Sequence, residues 1–250
     1  MHEEEMHMEV KLIAMTDVMY ENEPAGSVES AEYVCNHAAK TCTKEDAGDL
    51  VGQHYIVGEP CLIWEDNDLR PLGRALASGH ESILEHAVYT FEVKGVSRVT
   101  EIQLVRHRIG VSYSIQSGRY CARDPTNYVV PFDPQDRVRD AIEGFNIALR
   151  NLDEELQFAG VKEEDRRYFY PQGLKTNIIL TINARELRHI ASLRMCMRAQ
   201  KEIRELVTKM VKLAKEVSPT IFENVGASCE MTGKCPEGKK SCGRFKDGQN

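Results

Sequence analysis

The segment AVYTFEVKGVSRVTEIQLVRHR, residues 87–108, changes its apolar period halfway and decides the fold class. Its first eight residues alternate and are rich in β-forming side chains, which predicts a strand. Ser97 is then placed to cap a helix, because a serine hydroxyl satisfies a free N–H of the first turn. The apolar residues of that helix, Val99, Ile102 and Val105, lie three apart. A strand that passes directly into a helix favours a mixed α and β fold.

Outward from this segment, both periodicities recur without an internal repeat or a low-complexity linker. We therefore expect an α+β fold in a single domain, followed by a tail rich in Cys, Gly and Lys. The other predicted elements are a short strand within 8–20, a helix from a Ser27 cap to Ala38, a helix over 66–87 interrupted near Gly79, a loop and short strand after Arg108, an amphipathic helix over 135–158, a buried strand over 176–183 and a long helix over 185–215.

The charge of the 250 residues is unevenly distributed. The formal net charge is −7, and residues 1–30 alone carry eight acids and one base. A protein that coats nucleic acid through counterion release normally has a basic excess, so no nucleic-acid partner is expected. No apolar run approaches the roughly 20 residues of a membrane span, and the N-terminus is acidic where a signal peptide would be basic. We expect no membrane association and a cytoplasmic location.

Arginine is concentrated in two segments, 98–123 and 185–204. The planar guanidinium fork suits bidentate contact with phosphates and with planar oxygen or nitrogen edges. Cations that follow a helix also complement its dipole, worth about 0.3–1 kcal/mol, so composition alone leaves a structural role open. The surrounding motifs favour binding of an anionic ligand.

Four ordered blocks surround these arginines: Gly79-His80-Glu81-Ser82, Arg106-His107-Arg108, Ser117-Gly118-Arg119-Tyr120, and Asn183-Ala184-Arg185-Glu186-Leu187 followed by Leu193-Arg194. Together they resemble the flavin-dependent thymidylate synthases, whose signature is Arg-His-Arg, seven residues and a serine. The resemblance extends from about Gly79 to Gln200, roughly half the chain, and the order of the four blocks makes it specific.

The resemblance implies the reductive methylation of dUMP to dTMP. Methylenetetrahydrofolate would be the carbon donor, and FAD, reduced by NADPH, would be the hydride source. It also implies a mainly antiparallel sheet flanked by long helices and built for homotetramer assembly, with active sites shared between subunits. The synthase-like domain would span 1–225, and the tail 226–250.

The resemblance also assigns site residues, and it assigns no metal ligand. Arg194 is the catalytic residue, placed beside the uracil, where its charge would stabilise an enolate-like pyrimidine. The positions expected around dUMP are Gln103, Arg106, Gln116, Ser117, Gly118, Arg119, Arg167 and Arg194. The positions expected around FAD are Ser82, Arg106, His107, Arg108, Asn183, Arg185 and His189.

Two departures from the family pattern lie in the signature loop. The spacer, 109–116, has eight residues instead of seven. Ile115 stands where many members have Glu, and the amide of Gln116 is the natural substitute. For Ser117 we favour a hydrogen-bonding role over a nucleophilic one, because no Asp and His are spaced to activate its hydroxyl.

A metal-dependent hydrolase is an alternative interpretation. Its ligands would be His80, Glu81, Glu85 and His86, but Leu84 occupies the fifth position of the His-Glu-x-x-His spacing that zinc hydrolases use.

A structural metal site in the tail is a separate hypothesis. Three cysteines are spaced six and seven residues apart: Cys229, Cys235 and Cys242. A closed zinc site needs four ligands, so Cys35, Cys42 or a histidine would have to complete it. Free thiols and a disulfide remain alternatives. Cys121 and Cys196 are interpreted as small core residues.

Overall fold

The computed structural model describes residues 8–17, 19–20, 23–24, 30–43, 51–56, 59–64 and 68–244, with backbone alone for the four short segments between 19 and 64. Helices and strands are interspersed along these ranges. The strands are β1 (Glu9–Met15), β2 (Met19–Tyr20), β3 (Glu23–Pro24), β4 (Val51–Ile56), β5 (Glu59–Trp64), β6 (Val88–Ser97), β7 (Val111–Ile115) and β8 (Lys175–Asn183). The α-helices are α1 (Ser30–Thr41), α2 (Arg70–Ala77), α3 (Arg98–Leu104), α4 (Asp136–Phe158), α5 (Glu163–Arg166), α6 (Ala184–Arg194), α7 (Lys201–Val217) and α8 (Ser228–Thr232). Short 3-10 helices span Glu81–His86, Arg167–Phe169 and Gly238–Lys240.

The main sheet has the strand order β1-β6-β8-β7, and all neighbouring strands are antiparallel. Val88 lies opposite Asn183 and Val111 lies opposite Ile182, so β6 and β7 both begin beside the end of β8. The pairs β2–β3 and β4–β5 form two-stranded antiparallel ribbons. This arrangement confirms the expected α+β fold with a mainly antiparallel sheet and flanking helices.

The core lies between this sheet and its helices. Tyr89, Phe91 and Val93 of β6 are fully buried, as the alternating pattern of the strand predicts. They belong to one apolar cluster with Leu180 of β8 and Leu206 of α7. Within the described ranges, no helix combines the length and apolar character needed to span a bilayer.

Helix α3 differs from its sequence prediction in length and orientation. Ser97 caps it as expected, since its Oγ accepts from the Thr100 N–H at 3.1 Å. The helix ends at Leu104, however, and Ile102 is 45% exposed. The hydroxyl and N–H of Ser97 both donate to the buried Glu202 of α7. This polar anchor fixes the start of α3, so apolar spacing alone gave the wrong face.

The long helix predicted over 185–215 is two helices, α6 and α7, separated by residues 195–200. The Ala199 N–H donates to the Cys196 carbonyl in the connection. The guanidinium of Arg204 donates to the carbonyls of Met197 and Ala199, at 3.3 and 3.1 Å. The Arg204 side chain thus bonds carbonyls that backbone N–H groups would bond in a continuous helix. The apolar periodicity of the sequence does not indicate such a break.

The other helix predictions were closer. Helix α4 matches its predicted bounds to within a residue, whereas α1 extends to Thr41 instead of ending at Ala38. The Ser27 cap lies outside the described residues. The interruption near Gly79 is confirmed, because that glycine, at φ +74°, separates α2 from the 3-10 helix at Glu81–His86.

Candidate active site

The end of β8 brings the Arg-His-Arg segment against the start of α6. The Asn183 side chain caps α6 by accepting from the Glu186 N–H at 2.8 Å, and the Asn183 N–H donates to the Gly110 carbonyl at 2.9 Å. Gly110 has φ +68°, and a Cβ there would lie 2.4 Å from Asn183 Nδ2. Only glycine fits this left-handed, closely approached position. The junction fixes the chain just after Arg108.

His107 joins this segment to the candidate catalytic arginine. Arg194 Nε donates to His107 Nε2 at 3.2 Å. Because Nε2 accepts, a neutral imidazole carries its proton on Nδ1, which lies 3.4 Å from a carboxylate oxygen of Glu186. The order Glu186, His107, Arg194 is a polar chain that orients the guanidinium.

The electrostatic surroundings keep this histidine neutral. Burial, with the nearby charges of Arg194 and His189, lowers the pKa of His107 to about 4. Burial also raises the pKa of the Glu186 carboxyl. Near neutral pH the imidazole therefore acts as an acceptor for the Arg194 N–H instead of repelling it as a second cation.

The remaining residues expected around FAD lie on the exposed side of this cluster. The ring of the exposed His189 is 6.1 Å from that of His107. Arg106 and Arg108 are exposed, and neither guanidinium bonds to any residue that the structure describes. Arg185 pairs with Glu85 in the 3-10 helix that also carries Ser82. Ser82 and Arg185 therefore lie on neighbouring elements.

The carboxylates of the alternative hydrolase site already have cationic partners. Glu85 pairs with Arg185, and Glu81 lies 3.3 Å from Arg188. Among the described residues, the one group of three His, Cys, Asp or Glu whose ligand atoms all lie within 4.8 Å is His107, Glu186 and His189. The structure thus does not favour a metal site at the 3-10 helix.

A second arginine cluster surrounds a cavity of about 370 Å³. Arg98, Arg123 and Arg167 line it, together with Gly118. Burial and the charge of Arg98 lower the pKa of Arg123, and the buried Nε of Arg123 has no hydrogen-bond partner among the described residues. Guanidinium groups that repel one another around a cavity favour an anionic occupant.

The signature serine organises the turn beside this cavity. Ser117 Oγ accepts from the N–H groups of Arg119 and Tyr120, at 3.1 and 3.3 Å. The Arg119 guanidinium pairs with Glu164 at 2.5 Å. A Cβ on Gly118 would lie 3.6 Å from the Arg167 side chain. These contacts fit a hydrogen-bonding role for the serine.

The other residues expected around dUMP are less tightly grouped. Gln103 donates to the side chain of Gln200. Ile115 packs against the apolar core, whereas the next residue, Gln116, is held by its backbone, which donates to Asn177 and accepts from Arg123. Gln116 follows the last residue of β7, and its side chain is half-buried.

Sequence reasoning assigned Arg167 to this site but missed Arg98 and Arg123. Both belong to the arginine-rich segment 98–123, which was the only signal that could have found them. The structure distinguishes these two arginines from the others in the segment, because both line the cavity that Gly118 also lines.

The two clusters flank β7. His107 precedes the strand and Ser117 follows it. Five residues of extended chain cover roughly 16 Å. The Arg194–His107 pair and the three-arginine cavity therefore adjoin opposite ends of one strand.

Two arginine-centred clusters lie on this antiparallel α+β fold, and their positive charge favours anionic ligands. Residues 25–220 match the family model described as thymidylate synthase complementing protein, so the chain belongs to this family. The resemblance read from the four motif blocks is confirmed.

Curated relatives carry a more specific name. The flavin-dependent thymidylate synthase of Geobacter sulfurreducens is 45% identical over 177 residues, which cover 69% of this chain and 75% of that protein. The flavin-dependent thymidylate synthase of Thermococcus onnurineus is 44% identical over 178 residues, covering 67% and 72%. That of Pyrococcus furiosus is 44% identical over 184 residues, covering 69% and 75%.

Proposed function

We propose that this protein is a flavin-dependent thymidylate synthase that converts dUMP to dTMP. The observation that carries the proposal is the Arg194–His107 contact, because it joins the Arg-His-Arg motif to the arginine expected beside the uracil. Family membership and the name shared by the relatives support it. The catalytic unit spans 1–225, and the tail over 226–250 is an addition to it.

The three-arginine cavity binds the phosphate of dUMP. Arg167 and Arg123 supply cationic N–H donors, and Gly118 lets the backbone approach the phosphate closely. The dianion relieves the repulsion between Arg98 and Arg123. Arg119, which pairs with Glu164 in the absence of ligand, binds a phosphate oxygen of dUMP in its place. Gln103, Gln116 and Ser117 complete the polar surroundings of the nucleotide.

Arg194 stabilises negative charge on the pyrimidine as its C5 becomes nucleophilic. A positioned donor of this kind contributes roughly 3–4 kcal/mol to transition-state stabilisation. His107 is a positioning residue, since its neutral Nε2 fixes the guanidinium through Nε and leaves the other N–H groups for the substrate. Arg106 extends from the same segment toward the nucleotide.

The residues expected around the flavin fit a group that carries phosphates. Arg106 and Arg108 are exposed cations without partners among the described residues, and the exposed His189 lies beside His107, the residue between them. The other expected flavin contacts lie on adjoining elements: Arg185 on α6, Asn183 at the end of β8, and Ser82 on the 3-10 helix Glu81–His86. FAD, reduced by NADPH, supplies the hydride, and methylenetetrahydrofolate supplies the carbon.

The active site is shared within a homotetramer. The two clusters adjoin opposite ends of β7, and α4 exposes apolar side chains that a partner subunit would cover. A subunit would then present its cavity to the Arg194 cluster of another subunit. Sedimentation as a monomer with full activity would refute this arrangement.

Anaerobic turnover tests the proposed reaction. Purified protein is incubated with dUMP, methylenetetrahydrofolate, FAD and NADPH, and dTMP is measured by chromatography. With oxidised FAD, we expect dTMP only when all four components are present. Omitting NADPH while supplying chemically reduced FAD should give at most one dTMP per flavin. Bound flavin without any dTMP in the full mixture would contradict the proposal.

A further inference from the structure

A second cavity, of about 210 Å³, shares no lining residue with the three-arginine cavity and is lined by four cysteines. One, Cys196, lies in the connection between α6 and α7, two residues beyond Arg194. The other three come from the tail: Cys229 on α8, and Cys235 and Cys242 in the turns that follow it. The four free thiols thus converge from segments that are more than 30 residues apart in the sequence.

The convergence corrects two expectations. Cys196 is half-buried at the cavity wall and is not a small core residue; Cys121 is also half-buried. The fourth thiol beside the tail cysteines is Cys196, so neither Cys35 nor Cys42 is needed to complete a set of four. Cys35 is buried in the core cluster, and Cys42 is exposed at the end of α1.

Ion pairs hold the tail against this connection. Arg198 Nε lies 3.2 Å from Glu237, and its Nη1 donates to the Lys240 carbonyl at 2.6 Å. Arg244 pairs with Glu230, whose carboxylate also accepts from the Ala227 N–H at 2.8 Å. These contacts close the chain around the four thiols.

The tail has little apolar material with which to stabilise this arrangement. After Cys229, no residue of the described range 230–244 is buried. A short polar segment without a core is the setting in which proteins use a metal or a disulfide as a cross-link. Four thiols around one cavity match the ligand number of a closed structural zinc site.

The surrounding charge suits a bound zinc. Zn²⁺ held by four thiolates has a net charge of −2, which needs cationic neighbours. Arg244 and Glu237 both line the cavity, and the ion pairs Arg244–Glu230 and Arg198–Glu237 balance each other in charge. The excess positive charge comes from lysines. Lys234, Lys239 and Lys240 lie in the turns between the tail cysteines.

We propose that Cys196, Cys229, Cys235 and Cys242 bind one Zn²⁺ in a closed tetrahedral site that fastens the tail to the α6–α7 connection. Zn–S bonds of about 2.3 Å place the sulfurs about 3.8 Å apart. No three of these four sulfurs lie within 4.8 Å of one another in the structure. Binding therefore draws them inward from the cavity wall. The proposal does not depend on the proposed reaction.

Zinc content is the direct test. The full chain is purified under reducing conditions from cells grown with zinc. Four proteins are compared: the wild type, Cys235→Ser, Cys242→Ser and the matched control Cys42→Ser. The zinc content of each is measured by mass spectrometry. We expect one zinc per chain in the wild type and in the control, and less than a tenth of that in the other two variants. Circular dichroism checks that each variant retains its helices.

Replacement by Co²⁺ identifies the ligands. We expect the absorption spectrum of tetrahedral four-thiolate cobalt in the wild type, and its loss in Cys242→Ser, whose thiol is exposed, so that the change does not disturb the core. Zinc that persists unchanged in both serine variants would overturn the proposal. So would a wild type without zinc, whether its four thiols are free or are joined in disulfides.

Discussion

At the scale of single residues, the His107 imidazole orients the Arg194 guanidinium. The imidazole is nearly fully buried, 8% exposed, and its Nε2 accepts from Arg194. An exposed arginine would lose much of its conformational freedom on meeting the substrate. The contact with His107 already restricts the Arg194 side chain, so less conformational entropy is lost when the substrate binds.

Replacing Arg194 and replacing Ser117 should have different consequences. We expect Arg194→Ala to lower kcat by about 10²-fold or more, because a charge-stabilising donor is lost. Ser117→Ala should retain measurable dTMP formation, because its hydroxyl organises a turn. Complete loss of activity in Ser117→Ala, with FAD and dUMP still bound, would contradict this assignment.

The neutral state of His107 should appear in the pH dependence of stability. Its pKa falls from an ordinary 6.5 to about 4 in the folded chain. Between these values the unfolded chain takes up a proton that the folded chain does not, so the free energy of unfolding falls as the pH falls. The contribution is complete above pH 6.5 and is lost by about pH 4.

His107→Gln isolates this effect from the carboxylates that titrate in the same range. We expect the difference in unfolding free energy between wild type and variant to shrink as the pH falls from 6.5 toward 4, measured by urea denaturation. A difference that stays constant over this range would show that the histidine does not titrate as described.

A helix cap was the most predictable single position. Ser97 was predicted as a cap from the residue type and the apolar pattern that follows it, whereas the cap at Asn183 was missed, because its motif block was interpreted only as part of the flavin site. Arg98 and Arg123 could not be selected, because their role depends on a cavity closed by residues from distant segments. The Glu186–His107 contact joins residues about 80 positions apart and leaves no local pattern.

At the scale of elements, the contact between Gly110, just before β7, and Asn183, at the start of α6, holds the Arg-His-Arg segment close to Arg194. Gly110→Ala should disturb it twice, through left-handed strain of about 1–2 kcal/mol and through a Cβ that meets Asn183. Gly160→Ala is the matched control, since Gly160 has φ +78° and nothing within 4 Å of an added Cβ.

We expect Gly110→Ala to lower the free energy of unfolding by about 1–3 kcal/mol more than Gly160→Ala does, measured by chemical denaturation. Equal losses in the two variants would mean that Asn183 yields and that the close approach is not structural.

Element prediction succeeded where one physical signal dominated. The alternation of β6 and the buried run of β8 gave both strands correctly. Prediction failed for α3 and for the break at 195–200, because Glu202 and Arg204 decide those features through hydrogen bonds. Polar contacts of this kind are specific to the folded chain and have no period.

At the scale of the whole molecule, α4 presents a surface that a single subunit does not cover. Val138, Phe145 and Leu152 are 42%, 48% and 40% exposed, while Leu149 is the one buried residue of the helix. Its amphipathic pattern is therefore real, but most of the apolar stripe faces away from the core of its own subunit. Such a stripe is typical of an interface between subunits.

Leu152→Glu should weaken assembly, because it places a charge in that apolar stripe. We expect a smaller sedimenting mass and weaker FAD binding, with Asn151→Glu, an exposed neighbour on the same helix, behaving like the wild type. A folded Leu152→Glu protein that sediments with the wild-type mass would rule out this surface as an interface.

Co-expression of two impaired variants tests most directly whether the two arginine clusters form one active site across subunits. Arg194→Ala impairs one cluster and Arg167→Ala the other, and each variant alone is expected to form dTMP at about a hundredth of the wild-type rate or less. Subunits of both kinds, carrying different tags, are co-purified as mixed oligomers, and two differently tagged copies of Arg194→Ala serve as the control. We expect the mixed oligomers to regain dTMP formation and the control to regain none. Mixed oligomers that contain both variants and form no more dTMP than the control would contradict the shared site.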